Sequence, residues 1–391
     1  MKKFTKLSLV AAVAVAGLTS ANAKPLEEAI KDVEVSGTVT YRYDQSKVDN
    51  GSHSQSNNYK INFNLSSKVN DYVKFNTRLN AANAVDGTFT DNGFTKLNSK
   101  SGGNEDGNPE VRVSHAYFGL TAIPNTTVNI GKQGLATPWT VATDNDGGEQ
   151  TGTGIFSVTA VDKFVLGLAY FNQTNINHTD TNKILTDNTL PNFDGAGDIY
   201  AATLQANYGI VNAEAWYLSA VDQFDTYALA VHGKADLADN AKVGYEVRYV
   251  SLDAGDINSA LDKNSLLRVA VDGKVGIVNA RVAYTTTDKD GGVTALDQDA
   301  QNTSLGWKTN TLGKADAKYL QTTLGVDVLE NLNLSVSYND LESAGNNEES
   351  ELFGQLTYKM SKNLDGYIRY GTQEVNSLDS TNGRLQVNYK F

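Results

Sequence analysis

The chain has 391 residues, with 34 glycines, 19 tyrosines, 5 prolines, no cysteine, and 33 Lys and Arg against 45 Asp and Glu. Without cysteine there is no disulfide framework, thiolate metal site or cysteine nucleophile. The acidic balance speaks against nucleic acid as a partner, because a phosphate backbone needs a basic footprint.

At the start, Lys2, Lys3 and Lys6 precede a short apolar run from Leu7 to Leu18, and Ala21-Asn22-Ala23 offers a small-x-small cleavage site. The run is too short to span a bilayer as a helix, so residues 1–23 read as an export signal. Its removal leaves 391 less 23, or 368 residues; the 33 basic residues lose three and stand at 30 against 45 acids, a net −15. No linker, charge block or change of composition divides residues 24–391, and one continuous domain is expected there. No later segment is apolar for long enough to cross a membrane as a helix.

Period-2 alternation then recurs along the chain. It opens with Val35, Val39, Tyr41 and Tyr43 set against Ser36, Thr38, Thr40 and Arg42, and closes with Leu385, Val387, Tyr389 and Phe391 set against Arg384, Gln386, Asn388 and Lys390. The expected strands are 33–44, 58–68, 71–83, 110–121, 126–134, 153–160, 163–173, 198–209 and 211–220. They continue at 224–234, 240–251, 264–273, 276–286, 316–327, 331–340, 350–360, 363–374 and 382–391. These are 18, an even number as in closed bacterial barrels. Most approach the ~9–11 residues a tilted strand needs to cross the hydrocarbon. Their connections alternate: a long loop at 45–57, a turn at 69–70, a long loop at 84–109, the turn Ala122-Ile123-Pro124-Asn125 and a long loop at 135–152. Of the long positions, 221–223 is the short exception. The fold class expected is an all-β, 18-stranded antiparallel transmembrane barrel in the bacterial outer membrane, with short periplasmic turns and long extracellular loops.

Parity then assigns faces. A Lys or Arg facing mid-bilayer lipid costs roughly 2–4 kcal/mol, so the apolar parity faces outward, with Tyr41, Tyr43, Tyr249, Tyr284, Tyr338, Tyr358, Tyr370 and Tyr389 as interfacial rings. The opposite parity carries Arg42, Lys60, Lys74, Arg78, Arg248, Arg268, Arg281, Arg369 and Arg384. Charges of this number cannot be buried dry, so the interior must hold water. A wide polar lumen through a membrane is a pore for ions and small hydrophilic solutes. The loop after the fifth strand carries Asp144, Asp146 and Glu149; folded inward, as in general porins, it would oppose Arg42, Arg78, Arg248, Arg268, Arg281, Arg369 and Arg384 across a constriction. The acids of the remaining long loops, Asp297 and Asp299 among them, would sit at the outer mouth and favour cations.

No enzymatic constellation emerges: His53, His115, His178 and His232 are scattered without ligand spacing. Asp144 to Glu149 is rich in oxygen donors but lacks the spacing of an EF-hand. Free solvated acids and a Ca²⁺ site both remain open on the residues alone.

The segment Pro25-Leu26-Glu27-Glu28-Ala29-Ile30-Lys31-Asp32-Val33-Glu34-Val35-Ser36-Gly37, followed by Tyr41-Arg42-Tyr43-Asp44, resembles the mature start of the Campylobacter major outer membrane porin family. Lys6-Leu7-Ser8-Leu9-Val10-Ala11-Ala12, Gly131-Lys132-Gln133 and Tyr389-Lys390-Phe391 are similar too. The resemblance implies a homotrimeric, cation-preferring general porin with calcium held by the inward loop. Asp146-Gly147, ahead of Thr151-Gly152-Thr153-Gly154, matches that family's loop, which makes Asp146 the implied metal ligand. Two other readings stand beside it: a substrate-specific outer-membrane channel, and a surface adhesin on the same barrel.

Overall fold

The computed structural model describes residues 33–49, 51–82, 95–99, 110–144, 148–176, 195–257 and 259–391. The expected export signal lies outside them. The strands run β1 Glu34–Val48, β2 His53–Asn70, β3 Val73–Ala82, β4 Thr95–Ser99, β5 Glu110–Leu120, β6 Thr126–Gly134, β7 Thr151–Val161, β8 Phe164–Thr174, β9 Ile199–Asn207 and β10 Asn212–Ala220. They continue with β11 Phe224–Ala238, β12 Ala241–Asp253, β13 Asn264–Val275, β14 Val278–Thr287, β15 Lys318–Leu329, β16 Leu332–Ser343, β17 Asn347–Lys359, β18 Leu364–Val375 and β19 Leu378–Lys390.

Eighteen of these form the wall, each antiparallel to its neighbours, and β19 returns to β1 from Thr38↔Lys390 to Val48↔Ser380. The closed ring leaves no wall strand without a partner on either side, which a lipid environment demands. The short β4 is the additional element. It pairs with β2 from Ser56↔Ser99 to Tyr59↔Thr95, beyond the point where β3 ends. The seam is locked at the last residue: Gly37 and Phe391 exchange backbone hydrogen bonds of 2.9 and 3.1 Å. A Cβ on Gly37 would stand 2.7 Å from the Phe391 ring, so glycine admits it there.

Turns at one end are tight and use residues that tolerate positive φ, among them Asn125, Asp162 and Gly276. The other end departs from expectation. Instead of a long loop at 45–57, β1 and β2 continue until only residues 49–52 connect them, and β16–β17 and β18–β19 close in turns at 344–346 and 376–377. Above the lipid both faces of a strand meet water, so the backbone ladder continues after the apolar alternation has stopped.

Outward positions are apolar, as in Val247 and Tyr249, while Arg248 between them is buried inside. The inner surface is divided. On β1–β3 it is polar, with Thr40, Arg42, Asn58, Lys60, Asn62, Arg78 and Asn80 buried. On β7–β13 the upper inner face is apolar, with Phe156, Val158, Phe171, Leu218, Val250, Leu252 and Leu266. Such a surface cannot face bulk water cheaply, and it is covered from within.

Candidate functional site: a lumen narrowed by two inward loops

Two loops cover it. The first joins β6 to β7 and enters the lumen on an apolar anchor: Leu135 packs in the inner cluster with Trp139, which is 0% exposed. It is folded on itself through Leu135 N to Gln150 O at 2.9 Å and Gln150 N to Val141 O at 2.8 Å. Its charged end is bound to the polar wall. Arg78 Nε donates to Glu149 Oε1 at 2.7 Å, and Asn80 Nδ2 donates to Glu149 Oε2 at 3.0 Å. Lys60 Nζ reaches the Asp144 carbonyl at 2.7 Å. Burial pushes the Glu149 carboxyl up, and the neighbouring Arg78, Lys60 and His115 charges outweigh it, holding the group below the ordinary carboxylate range. Glu149 is 0% exposed, a latch between loop and wall.

The second loop, 288–317 between β14 and β15, is the larger one. Val293 and Leu296 join the same apolar cluster. Leu296 N donates to Trp139 O at 2.8 Å, Asn302 N to Pro138 O at 2.9 Å, and Gln150 Nε2 to Leu296 O at 2.7 Å, so the two loops form one body inside the barrel. Arg268 holds it from the wall, donating to the carbonyls of Gln301 (2.9 Å) and Thr303 while Nε donates to Glu246 at 2.7 Å. Arg248, paired directly with Arg268 in register, bonds Asn302 at 3.2 Å and Glu214 at 2.6 Å. At the far tip, Trp307 and Lys308 turn over Glu351 of β17.

The body of the two loops thus lies against β6–β14, tied to β2 and β3 through Lys60, Arg78 and Asn80 and to β17 through Glu351, and leaves the lumen beside β18, β19 and β1. On that wall Arg369 and Arg384 pair in register, Arg384 faces Asp44 in the next strand, and Arg42 lies two residues along from Asp44. Arg384 Nε donates to Asp44 Oδ1 at 2.6 Å, Arg42 to Gln386 at 2.8 Å and Arg369 to Gln355 at 2.7 Å. The Arg369 guanidinium also lies 5.2 Å from the Trp307 ring, 5.0 Å from Phe353 and 5.2 Å from Tyr367, within cation–π range. Opposite stand loop acids. Burial, with Asp144 and Asp297 close by, pushes the Asp299 carboxyl up to about 7, against the pull of Arg42 and Arg384. Burial and Arg384 likewise lower the Lys308 ammonium.

Of the residues singled out in the sequence, the structure thus brings Asp144 close to Arg42 and Asp299, and ties Glu149 to Arg78. Arg248 and Arg268 hold the second loop. Arg281 sits away from the loop contacts, half exposed and 3.8 Å from Asp272. Asp146 lies outside the described residues, and among the described residues no group of three or more His, Asp or Glu is arranged to hold a metal. Asp297 and Asp299 are a correction: expected at the outer mouth, they sit inside, Asp297 at 0% exposure, because the loop that carries them folds inward on Val293 and Leu296. Glu351, Trp307 and Lys308 were not foreseen. The signal for them was Val293, Leu296, Leu305 and Trp307 within a supposedly solvated loop, set against the upper ends of β12 and β13, where the inward parity turns apolar at Val250, Leu252 and Leu266.

A closed 18-stranded wall, apolar outside and charged around an inner constriction, defines an outer-membrane channel for small solutes. The whole chain, residues 1–391, matches the profile of the Campylobacter major outer membrane protein, and it belongs to that family. No curated protein matches the sequence. Among solved structures it is similar to OccK1 (OpdK) of Pseudomonas aeruginosa, with a TM-score of 0.72 at 12% identity over 92% of this chain and 99% of that one. OpdQ of the same organism gives 0.72 at 14% over 92% and 99%. OccAB1 of Acinetobacter baumannii gives 0.70 at 15% over 95% and 99%. At such identities the likeness is one of fold.

Proposed function

We propose that this channel is a general diffusion porin for ions and small hydrophilic solutes, with a preference for cations, acting as a homotrimer in outer-membrane lipid. The observation that carries the reading is the charge arrangement. At the constriction Arg42, Arg369, Arg384 and Lys308 face Asp44, Asp144, Asp297 and Asp299, a transverse field with little net sign, which orients water without selecting one ion strongly. The rim above it is acidic: Asp49, Glu348, Glu374 and Asp379 are exposed on the hairpins that rise over this side. Rim charges raise the local cation concentration within about one Debye length, ~8 Å at physiological salt. The mature excess of acids acts in the same direction. In planar bilayers the single-channel conductance should rise linearly with KCl and the reversal potential across a salt gradient should lie on the cation side. An anion-side potential would reject the preference.

Calcium belongs to this reading. Among the described residues no three carboxylates form a site by themselves, so the ion would need Asp146 beside Asp299 and its neighbours Asp144 and Asp297, whose hard oxygens suit Ca²⁺. With Asp146 as a further ligand, the ion would relieve their repulsion and join the two loops. Chelation should then lower thermal stability, by an amount that grows with the free Ca²⁺ withdrawn, and Asp146→Ala should abolish that sensitivity. A second function, substrate-specific uptake, is favoured by one observation, the Arg369 side chain flanked by Trp307, Phe353 and Tyr367 beside the lumen. It would show as conductance that saturates with a defined solute.

A further inference from the structure

We propose that Glu351 is the positioning residue that sets the aperture of the channel, by clamping the tip of the 288–317 loop across the lumen. This goes beyond the diffusion reading and does not depend on the sign of the selectivity.

The clamp is built from complementary parts. The tip Leu305 to Asn310 is a small hairpin, closed by a bridge between those two residues and by Gly306 N donating to Thr309 O at 2.8 Å. Its turn directs two successive backbone N–H groups at one carboxylate: Trp307 N to Glu351 Oε1 and Lys308 N to Glu351 Oε2, both 2.7 Å. Thr309 Oγ1 adds a third donor at 3.1 Å, and Asn339 Nδ2 of the adjacent strand a fourth at 2.6 Å. Bonds from neutral donors to an ionised acceptor are among the strong ones. Glu351 is 2% exposed, so water does not compete for them. Gly306 admits the carboxylate: a Cβ there would stand 2.0 Å from Glu351 Oε1. Tyr319 closes the pocket from the loop's own end, fully buried, its hydroxyl 2.7 Å from Thr309 Oγ1.

The position of the clamp gives it a consequence. The middle of the loop, at Gln301 to Thr303, is tied to β12 and β13 by Arg248 and Arg268, while Glu351 holds the tip from β17, further round the wall. The stretch between them is therefore a strut fixed at both ends. The far fixing holds Trp307 over Arg369 and brings Lys308 beside Arg384 and Asp44. Release of that end alone leaves the wall and the apolar anchor of the loop intact, and frees the part of it that lies over the open side of the lumen.

The test is single-channel recording on the full protein, with liposome swelling in neutral sugars of increasing size. Glu351→Ala should raise the conductance, add open-channel noise and admit larger sugars. Glu351→Gln, which keeps one acceptor oxygen and places an amide against the Lys308 N–H, should fall between. Heat-modifiable mobility reports whether each variant still forms the barrel. Gly306→Ala gives an independent arm, since it displaces the carboxylate without altering the strand, and should reproduce the wider channel even if Glu351→Ala fails to assemble. Folded Glu351→Ala or Gly306→Ala protein with wild-type conductance, noise and sugar limit would overturn the proposal.

Discussion

Two arginine clusters of the same parity face into this barrel, and they do different work. Arg248 and Arg268, paired on β12 and β13, meet Glu214, Glu246 and the carbonyls of an inward loop. Their charge is matched by Glu214 and Glu246, so they act as anchors. Arg42, Arg369 and Arg384, on β1, β18 and β19, donate to Gln386, Gln355 and Asp44 beside the remaining lumen and stand opposite Asp144 and Asp299. The difference teaches that an inward arginine in such a channel is functional only where no loop covers it. Bonds to the loop itself, at Gln301, Asn302 and Thr303, turn the same side chain into a fastening.

The comparison can be broken first at the fastenings, where the effects should be largest. Arg268→Ala strips Glu246 and two loop carbonyls of a buried partner, and Arg78→Ala does the same to Glu149; removing one member of a buried pair costs about 3–5 kcal/mol. Both should lower the temperature at which the unboiled band converts to the unfolded one. Because Glu149 is held below its ordinary pKa, the stability it brings is complete above the usual carboxylate range. It is lost as pH falls through its folded-state value, so the Arg78→Ala penalty should shrink in acid. Next comes the open wall: Arg42→Ser with Arg384→Ser leaves Asp44 without its arginine and should also lower that temperature, but unlike Arg268→Ala it should move the reversal potential further toward cations. A smaller effect is expected from Asp299. Its carboxyl is neutral below about 7 and charged above, so with chelator present the cation preference should increase from pH 6 to pH 8, and Asp299→Asn should flatten that dependence. The smallest effect belongs to Arg281→Gln. The pair with Asp272 is half exposed, worth about 0–1 kcal/mol, and neither stability nor selectivity should move measurably.

The strands and their parity were legible in the sequence, because lipid outside and water inside impose alternation on every crossing strand, whereas the inward course of the 135–152 loop was expected only by likeness to general porins. What alternation could not show was depth. Strand ends above the bilayer, such as Gln45 to Val48 and His53 to Asn57, lose the apolar face while the ladder continues, and they read as loop. Nor could parity tell Arg268 from Arg384, since both are inward and the distinction is made by loop contacts at Gln301 and Thr303, more than thirty residues from either in the chain. That loop did carry a signal. Leu296 and Trp307 are costly in a solvated loop, and Val250, Leu252 and Leu266 need apolar cover on a parity assigned to water. Read together, they call for an inward fold of 288–317. The clamp at Glu351 was out of reach, because it depends on two backbone N–H groups that no residue type announces.

The account rests on one wall being open to conducting water while the other is covered, and the absence of cysteine makes that directly measurable. Arg384→Cys and Thr285→Cys each place one thiol on the inner face, the first on the open wall and the second under the loop, where Thr285 is 0% exposed and bonds Ser304 at 2.6 Å. A charged, membrane-impermeant thiol reagent is added while the current through a single channel is recorded. The account predicts a stepwise change in current for Arg384→Cys and none for Thr285→Cys. A step at Thr285→Cys with silence at Arg384→Cys would contradict it.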